Sequence, residues 1–288
     1  MTEGLKQMSA ATHSRDQLPY VNGLLGFAVR KGETENKPRE CRFYDARPIA
    51  DELSLDKEGF ILIRHDSELA RKGDVDLVRR ESGAYLEDLA PAIKQALGAS
   101  WVVPRTASNT GVVVRSATKI EPGQPFAYVR NKGAIEVPFP NAHMDYTQAS
   151  ALNLARAEHH QRGIAERPYS RLIIIQAWQA ISPPPQDRPL ALMDASTLDP
   201  NDAFPMLNND PDPDDYSGDA IRARFVVFNP NQRWHYVSNM VHDDVVLFKG
   251  YDSANQATPP HGSFLNTALG DRGQPRESVE GRFFVYFD

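Results

Sequence analysis

A histidine–aspartate pair, followed far along the chain by a second histidine and then by an arginine, carries the clearest chemistry in this sequence. One residue separates His143 from Asp145, and His261 follows 116 residues after Asp145. Two imidazoles and one carboxylate bind Fe(II) on one face and leave its other positions open. Arg276 and Ser278 follow and offer a guanidinium fork and a hydroxyl to a carboxylate. The spacing predicts an Fe(II) site with 2-oxoglutarate as co-substrate.

Two other histidines compete for the metal. His242 and Asp244 repeat the same tripeptide spacing, but the short gap to His261 would force all three ligands into one hairpin. The gap from the first pair to His261 holds about five candidate strands, enough for a barrel to wind round and return. His235 lies 41 residues before Arg276, against 15 for His261. We therefore prefer His261, which we expect on a strand beside that of Arg276.

The polar residues of the terminal strand alternate with apolar ones. Arg276, Ser278, Glu280 and Arg282 share one parity, so they share one face of a regular strand. On the inner face of a barrel such groups are costly without a function, whereas on the outer face they cost nothing. Periodicity does not decide between the two faces. We assign Arg276 and Ser278 to the co-substrate and keep Arg282 as a substitute or a substrate contact.

Short apolar runs bounded by Pro, Gly, Asn and Asp recur along the chain, which is typical of a mainly β sandwich or barrel. Helical spacing of apolar residues predicts flanking α-helices over 85–97, ended by Gly98, and over 147–161, capped by Thr147. The predicted strands are 60–64, 101–103, 112–114, 135–139, 172–178, 190–193, 225–228, 234–237, 245–248 and 283–287.

The chain is interpreted as one domain, 1–288, with three parts. Residues 1–40 are predicted to be an N-terminal arm, 41–130 flanking helices and strands, and 131–288 the barrel core. Residues 194–219 hold eight aspartates and no Lys or Arg, which predicts a long acidic loop. Its spaced aspartates lack the Gly and the final Glu of a calcium loop, so calcium is excluded there.

Composition narrows the functional class. Of 288 residues 41% are hydrophobic, which is ample for a core, and the net charge of -6 does not favour nucleic acid as a partner. A single cysteine, Cys41, excludes an internal disulfide and any Cys-rich zinc or iron–sulfur site. We find neither a secretory signal nor an apolar stretch long enough to span a membrane. We expect a cytoplasmic protein that acts on a small molecule; its oligomeric state is not predicted.

An ordered set of motifs in the second half resembles a known family. The matching stretches are His143-Met144-Asp145, Arg171 with 173–178, 189–194, Arg233-Trp234-His235-Tyr236, 246–253, His261 with Phe264, and 275–280. They resemble the fungal hydroxylase/desaturase family, which includes the aspergillic acid hydroxylase, the gibberellin desaturase and the CmcJ-like protein. Coverage is roughly residues 135–288, with only a loose match before that.

The resemblance implies a double-stranded β-helix (jelly-roll) fold and a non-haem Fe(II), 2-oxoglutarate-dependent dioxygenase of secondary metabolite biosynthesis. It supports the His143, Asp145 and His261 triad and the Arg-x-Ser pair. It places the family's tryptophan at Trp178, where Gln179-Ala180 replaces the usual Arg-Pro. Trp178, Tyr236 and Tyr251 are candidates for the substrate pocket, with a core role as the alternative.

Such an enzyme would bind O2 and release succinate and CO2. The sequence does not distinguish hydroxylation from desaturation or ring formation. Two alternatives remain at this point. One is a cupin-type metalloenzyme without 2-oxoglutarate, and the other is a non-catalytic small-molecule-binding barrel.

Overall fold

The structure, a computed structural model, describes residues 15–29, 36–107, 111–121, 123–124, 126, 135–205 and 223–288. Within these ranges the strands form an eight-stranded and a six-stranded sheet. In the larger sheet every neighbouring pair is antiparallel except β2 with β11. Its order is β1 (Tyr20–Ala28), β2 (Asn36–Asp45), β11 (Trp234–Tyr236), β8 (Leu190–Met193), β13 (His261–Ser263), β6 (His143–Met144), β10 (Arg224–Val226) and β9 (Ala203–Pro205).

The six-stranded sheet is antiparallel throughout, and its longest ladder joins the two strands at its centre. Its order is β3 (Phe60–Arg64), β12 (Asp244–Asp252), β7 (Arg171–Ala180), β14 (Glu277–Phe287) and β4 (Trp101–Pro104), with β5 (Val112–Ser116) also paired to β14. From β6 to β8, and again from β11 to β14, the chain passes back and forth between the sheets. That path is the jelly roll, and the predicted mainly β fold is confirmed.

Alternation along the strands gives the six-stranded sheet two different faces. On its inner face, Trp178 and Phe248 pack against Leu190 and Leu192 of the larger sheet, so the two sheets enclose a common core. On its outer face, Ile175, Leu247, Val279, Phe283 and their neighbours pack against helices. Polar residues on the inner face therefore lie between the sheets.

Four α-helices flank the sheets in the described part of the chain: α1 (Glu68–Arg71), α2 (Val75–Arg80), α3 (Ser82–Leu97) and α4 (Gln148–Arg162). The two predicted helices correspond to α3 and α4. Gly98 ends α3 at φ 62°, and Thr147 caps α4 by accepting from the backbone of Ser150. The short α1 and α2 were not predicted. None of the described helices is long and apolar enough to cross a membrane.

The structure places sheet strands inside the first two predicted parts of the chain. Residues 20–28 and 36–45 are strands of the larger sheet, not an arm, and β3 to β5 add residues before 131 to the smaller sheet. The strand signal in β1 is weak because Gly23 and Gly26 interrupt its apolar residues; a Cβ at Gly26 would lie 2.0 Å from the Asn141 amide oxygen. We still propose a single domain, because strands from both halves share each sheet.

Two further predictions concern irregular segments. The predicted strand 135–139 is wrong: only an isolated bridge joins Glu136 to Arg115, since Pro138 and Pro140 remove ladder donors. In the acidic segment 194–219, short 3-10 turns at Ala195–Thr197 and Pro200–Asp202 precede β9. Its remainder, including Asp210, Asp212 and Asp214, lies outside the described residues.

Candidate metal centre

Strand register brings the two predicted metal-binding histidines together. His143 in β6 and His261 in β13 are direct Cα partners in the antiparallel ladder, which puts their side chains on one face. Asp145 follows β6 two residues after His143, so its side chain has the same parity. Gly262 permits this approach, because a Cβ there would lie 2.8 Å from the backbone oxygen of Asn141.

The three side chains converge tightly. One ligand atom from each of His143, Asp145 and His261 lies within 4.8 Å of the other two. The two imidazole centroids are 4.3 Å apart, and His143 Nε2 is 3.3 Å from Asp145 Oδ1. All three residues are buried. The ring of Phe139 lies 4.5 Å edge-on from His143, and that of Phe248 lies 4.7 Å from His261, so apolar walls border the cluster.

Hydrogen bonds fix the orientation of His143 and Asp145. His143 Nδ1 donates to the backbone oxygen of Asn141 at 2.9 Å, so Nε2 is the nitrogen that faces Asp145. Asp145 Oδ2 accepts from Arg282 Nη2 at 2.9 Å and from Gln176 Nε2 at 2.8 Å. Burial raises the pKa of Asp145, but the Arg282 charge and the nearby histidines lower it well below its usual value. The carboxylate is therefore ionised.

His261 is held neutral by its surroundings. Burial, and then the proximity of His143, lower the pKa of His261 to about 3. Its Nδ1 is buried and accepts or donates no hydrogen bond among the described residues. Two imidazoles and one carboxylate, with the far sides of His143 and Asp145 already bonded, are a ligand set that fits a divalent iron ion.

The competing histidines are placed elsewhere. Asp244 binds Arg47 at 2.8 Å and Arg64 at 2.8 Å, so this carboxylate is already paired. His242 lies with Asp66 and Asp243 in a separate, partly exposed group. His235 faces the core in the same row as His261, but the strand that carries Leu192 lies between them.

Arg276 is a buried guanidinium with two unsatisfied nitrogens. Nε and Nη2 are buried and have no hydrogen-bond partner among the described residues. The guanidinium lies 5.5 Å from the ring centroid of Trp178, on the inner face of β7. Burial, and then the charge of Arg115, lower the pKa of Arg276 to about 9. It remains protonated at neutral pH and can bind an anion.

Ser278, Glu280 and Arg282 alternate with apolar residues in the same way as Arg276, and they also face inward. The polar face of the terminal strand therefore lies inside the barrel, which the sequence pattern alone did not decide. Ser278 is buried opposite Ala180 of β7. Arg282 donates to Glu280 at 2.9 Å as well as to Asp145. Burial lowers the pKa of Arg282, but Tyr146, Glu280 and Asp145 raise it more strongly, and the net pKa is raised. Arg282 is thus engaged by the metal cluster, whereas Arg276 has donors to offer.

The three candidate pocket residues have different environments. Trp178 lies on the inner face beneath Arg276 and packs in the core between the sheets. Tyr251 is partly buried and shares the inner face with Ile174, its Cα partner. Tyr236 has the opposite parity to His235 and packs on Phe264 at 5.6 Å, away from the metal-facing row. The structure therefore does not support Tyr236 as a pocket residue.

Two features of the site were not apparent from the sequence. Gln176 was not singled out, although it shares the parity of Trp178 on β7. The predicted placement of His261 and Arg276 on adjacent strands is wrong: His261 lies in β13 of the larger sheet, and Arg276 directly precedes β14 of the smaller one. The two residues come from opposite walls of the barrel, and only the path of the chain between the sheets brings those walls together.

Comparisons with known proteins match nearly the whole chain. The model of the family described as oxidoreductase/YMDC permease-like domain matches residues 11–286. The Fe(II)/2-oxoglutarate-dependent dioxygenase nvfI of Aspergillus novofumigatus is 26% identical over 259 residues, 86% of this chain and 84% of that protein. The hydroxylase/desaturase efuI of Hormonema carpetanum is 29% identical over 252 residues, 85% of this chain and 82% of that one.

Solved structures give the same fold. The iron and alpha-ketoglutarate-dependent endoperoxidase NvfI superimposes with a TM-score of 0.67 at 24% identity, over 93% of this chain and 98% of that chain. A second conformation of NvfI gives a TM-score of 0.69 at 23% identity, with the same coverage. The resemblance to the fungal hydroxylase/desaturase family is confirmed by these relatives. The chain belongs to the oxidoreductase/YMDC permease-like domain family, whose matched model covers both sheets and all three residues of the candidate metal cluster.

Proposed function

We propose that this protein is a non-haem Fe(II)- and 2-oxoglutarate-dependent dioxygenase that hydroxylates, desaturates or cyclises a small-molecule secondary metabolite. Curated relatives named as dioxygenases and as hydroxylase/desaturases support the class. The observation that carries the proposal is the in-register pair of His143 and His261 with Asp145 beside them. O2 is the second substrate, and the products include succinate and CO2. We propose a cytoplasmic location.

His143, Asp145 and His261 would hold the metal. His143 turns Nε2 toward Asp145, burial keeps His261 neutral and Asp145 is ionised, so the cluster presents donor atoms to a divalent cation. When bound, Fe(II) and 2-oxoglutarate supply the oxidising chemistry, in which reduction of O2 is coupled to oxidation of the co-substrate and of a substrate C–H bond.

Arg276 and Ser278 would bind the distal carboxylate of 2-oxoglutarate. Two guanidinium nitrogens that lack hydrogen-bond partners among the described residues match the two oxygens of a carboxylate. The ring of Trp178 holds the guanidinium from one side, and the buried hydroxyl of Ser278 is a further donor. Arg282 keeps its bonds to Asp145 and acts on the metal ligand instead.

Apolar side chains around the cluster also limit the access of bulk water. Phe139 and Phe248 border the two imidazoles, and Leu192 separates His261 from His235. An apolar surround of this kind keeps bulk water from the oxidising centre. A cupin-type enzyme that does not use 2-oxoglutarate would leave the buried charge of Arg276 without a ligand, so the structure favours the dioxygenase.

The direct test is anaerobic titration of the metal-free protein with Fe(II) and 2-oxoglutarate. The wild-type protein is expected to develop a weak visible charge-transfer band, and His143→Ala and His261→Ala to lose it. His242→Ala is the matched control, because it removes the histidine of the second His-x-Asp tripeptide and should leave the band unchanged. A wild-type protein without the band would contradict the proposed function. A band that depends on His242 would contradict the ligand assignment alone.

A further inference from the structure

The unused oxygen of the metal-binding carboxylate lies in a closed polar cluster. Asp145 Oδ2 accepts from Gln176 Nε2 at 2.8 Å and from Arg282 Nη2 at 2.9 Å. The same two donors also bond to Glu280 Oε1, at 3.1 Å from Gln176 and 2.9 Å from Arg282. Two carboxylates therefore share one amide and one guanidinium.

Register explains why these groups meet. Gln176 of β7 and Arg282 of β14 are direct Cα partners, and Glu280 is the inward-facing residue that precedes Arg282 on β14. Asp145 comes from the other wall, because it follows β6 of the larger sheet. The cluster thus joins the two sheets through Asp145, one of the proposed metal ligands.

The amide of Gln176 has only one useful orientation. Its Nε2 must face the two carboxylates, so Oε1 points toward Gly250, where it is buried with no hydrogen-bond partner among the described residues. A Cβ at Gly250 would lie 2.7 Å from Oε1 and 2.5 Å from the ring of Tyr146. The absence of a side chain at Gly250 is what lets the amide sit there.

We infer that Gln176 and Glu280 are positioning residues, which together with Arg282 hold Asp145 so that only Oδ1 is presented to the metal. Oδ1 lies 3.3 Å from His143 Nε2, on the side where the ligand atoms converge. With Oδ2 occupied by two donors, the carboxylate binds through one oxygen and leaves more positions for co-substrate and O2. Glu280 balances the guanidinium and keeps the amide from flipping. The inference rests on the proposed function.

The test uses Co(II) as a spectroscopic probe of the full-length, metal-free protein. Gln176→Leu keeps the approximate shape and removes both amide bonds. We expect its Co(II) affinity to fall about 10- to 100-fold and its visible Co(II) spectrum to change. Gln179→Leu is the matched control, since Gln179 is a buried amide of the same strand that bonds to Tyr85 and to the His242 carbonyl on the outer face. It should lose stability but keep wild-type Co(II) affinity and spectrum.

Glu280→Gln provides a second, milder test, because Glu280 is only partly buried. We expect a severalfold loss of Co(II) affinity and a spectral change of the same kind. Wild-type Co(II) affinity and spectrum in either Gln176→Leu or Glu280→Gln would overturn the inference and leave the proposed function intact. A wild-type protein that does not bind Co(II) would overturn both.

Discussion

Arg276→Met is expected to stabilise the metal-free protein while it abolishes binding of 2-oxoglutarate. The wild-type guanidinium is buried, and two of its nitrogens have no hydrogen-bond partner among the described residues. Burial lowers its pKa from 12.5 to about 9. Since pH 7 lies below that value, the group is still charged and the full cost of burying the charge is present in the ligand-free fold.

The size of the effect follows from this shift. A pKa lowered from 12.5 to about 9 disfavours the charged form by roughly 5 kcal/mol. Arg276→Met removes that cost but also a cation–π contact with Trp178 worth about 0.5–2 kcal/mol. Incomplete packing of the shorter side chain reduces the gain further. We expect a net stabilisation of about 1–3 kcal/mol, which is a rise of about 2–6 °C in Tm.

Binding should change in the opposite direction. Loss of two charge-assisted hydrogen bonds costs about 3 kcal/mol or more, so the Kd for 2-oxoglutarate should rise at least about 100-fold. Thermal unfolding of the metal-free proteins by circular dichroism, with and without 2-oxoglutarate and Co(II), measures both effects. With Co(II) present throughout, addition of 2-oxoglutarate should raise the Tm of the wild-type protein but not that of Arg276→Met.

Arg282→Met is the matched comparison for Arg276→Met, because it makes the same substitution at an inward-facing arginine six residues further along the chain. Arg282 is paired with Asp145 and Glu280, and its removal leaves the buried carboxylate of Asp145 and the partly buried one of Glu280 without their cation. We expect it to destabilise the protein by about 3–5 kcal/mol. Two results would refute the assigned role of Arg276: a Tm of Arg276→Met lowered as in Arg282→Met, or wild-type affinity of Arg276→Met for 2-oxoglutarate.

Four further substitutions are expected to change stability. Burial lowers the pKa of His235 to about 4, so its stabilising contribution is complete above about pH 6.5 and is lost as the pH falls toward 4. His235→Phe should remove roughly 2 kcal/mol of the stability loss between about pH 7 and about pH 4.5 in urea unfolding, and an equal loss in both proteins would contradict this. Gly250→Ala should lower the free energy of unfolding by about 1–3 kcal/mol through its clash with Tyr146. Gly83→Ala, in a helix and with open space around it, should instead raise that free energy by about 0.5–1 kcal/mol. Asp244→Asn should cost about 1.5–3 kcal/mol in chemical denaturation because it weakens bonds to two arginines, yet the Fe(II)–2-oxoglutarate band should persist; a lost band would mean that the wrong tripeptide was chosen.

The sequence by itself determined the type of fold and the identity of the cluster. Apolar runs of strand length predicted a mainly β barrel, and capping residues located α3 and α4. Spacing arguments chose His143, Asp145 and His261 over His235 and His242. These inferences depend on periodicity and on ligand chemistry, which are local properties of the chain.

Tertiary structure decided which face of each strand is buried and what each polar group meets. The parity that joins Arg276 to Arg282 is visible in the sequence, but only packing of the opposite face against α3 turns these residues inward. Gln176 meets Asp145 because β7 and β6 belong to opposite sheets, a contact between residues 31 positions apart that no short-range pattern encodes. The strand β1 stayed hidden because its glycines are selected by close contact with Asn141 and Phe264, not by strand propensity. The register and the side-chain environment of each strand are fixed by pairing partners that are distant in sequence. These contacts exist only once the two sheets have closed on each other.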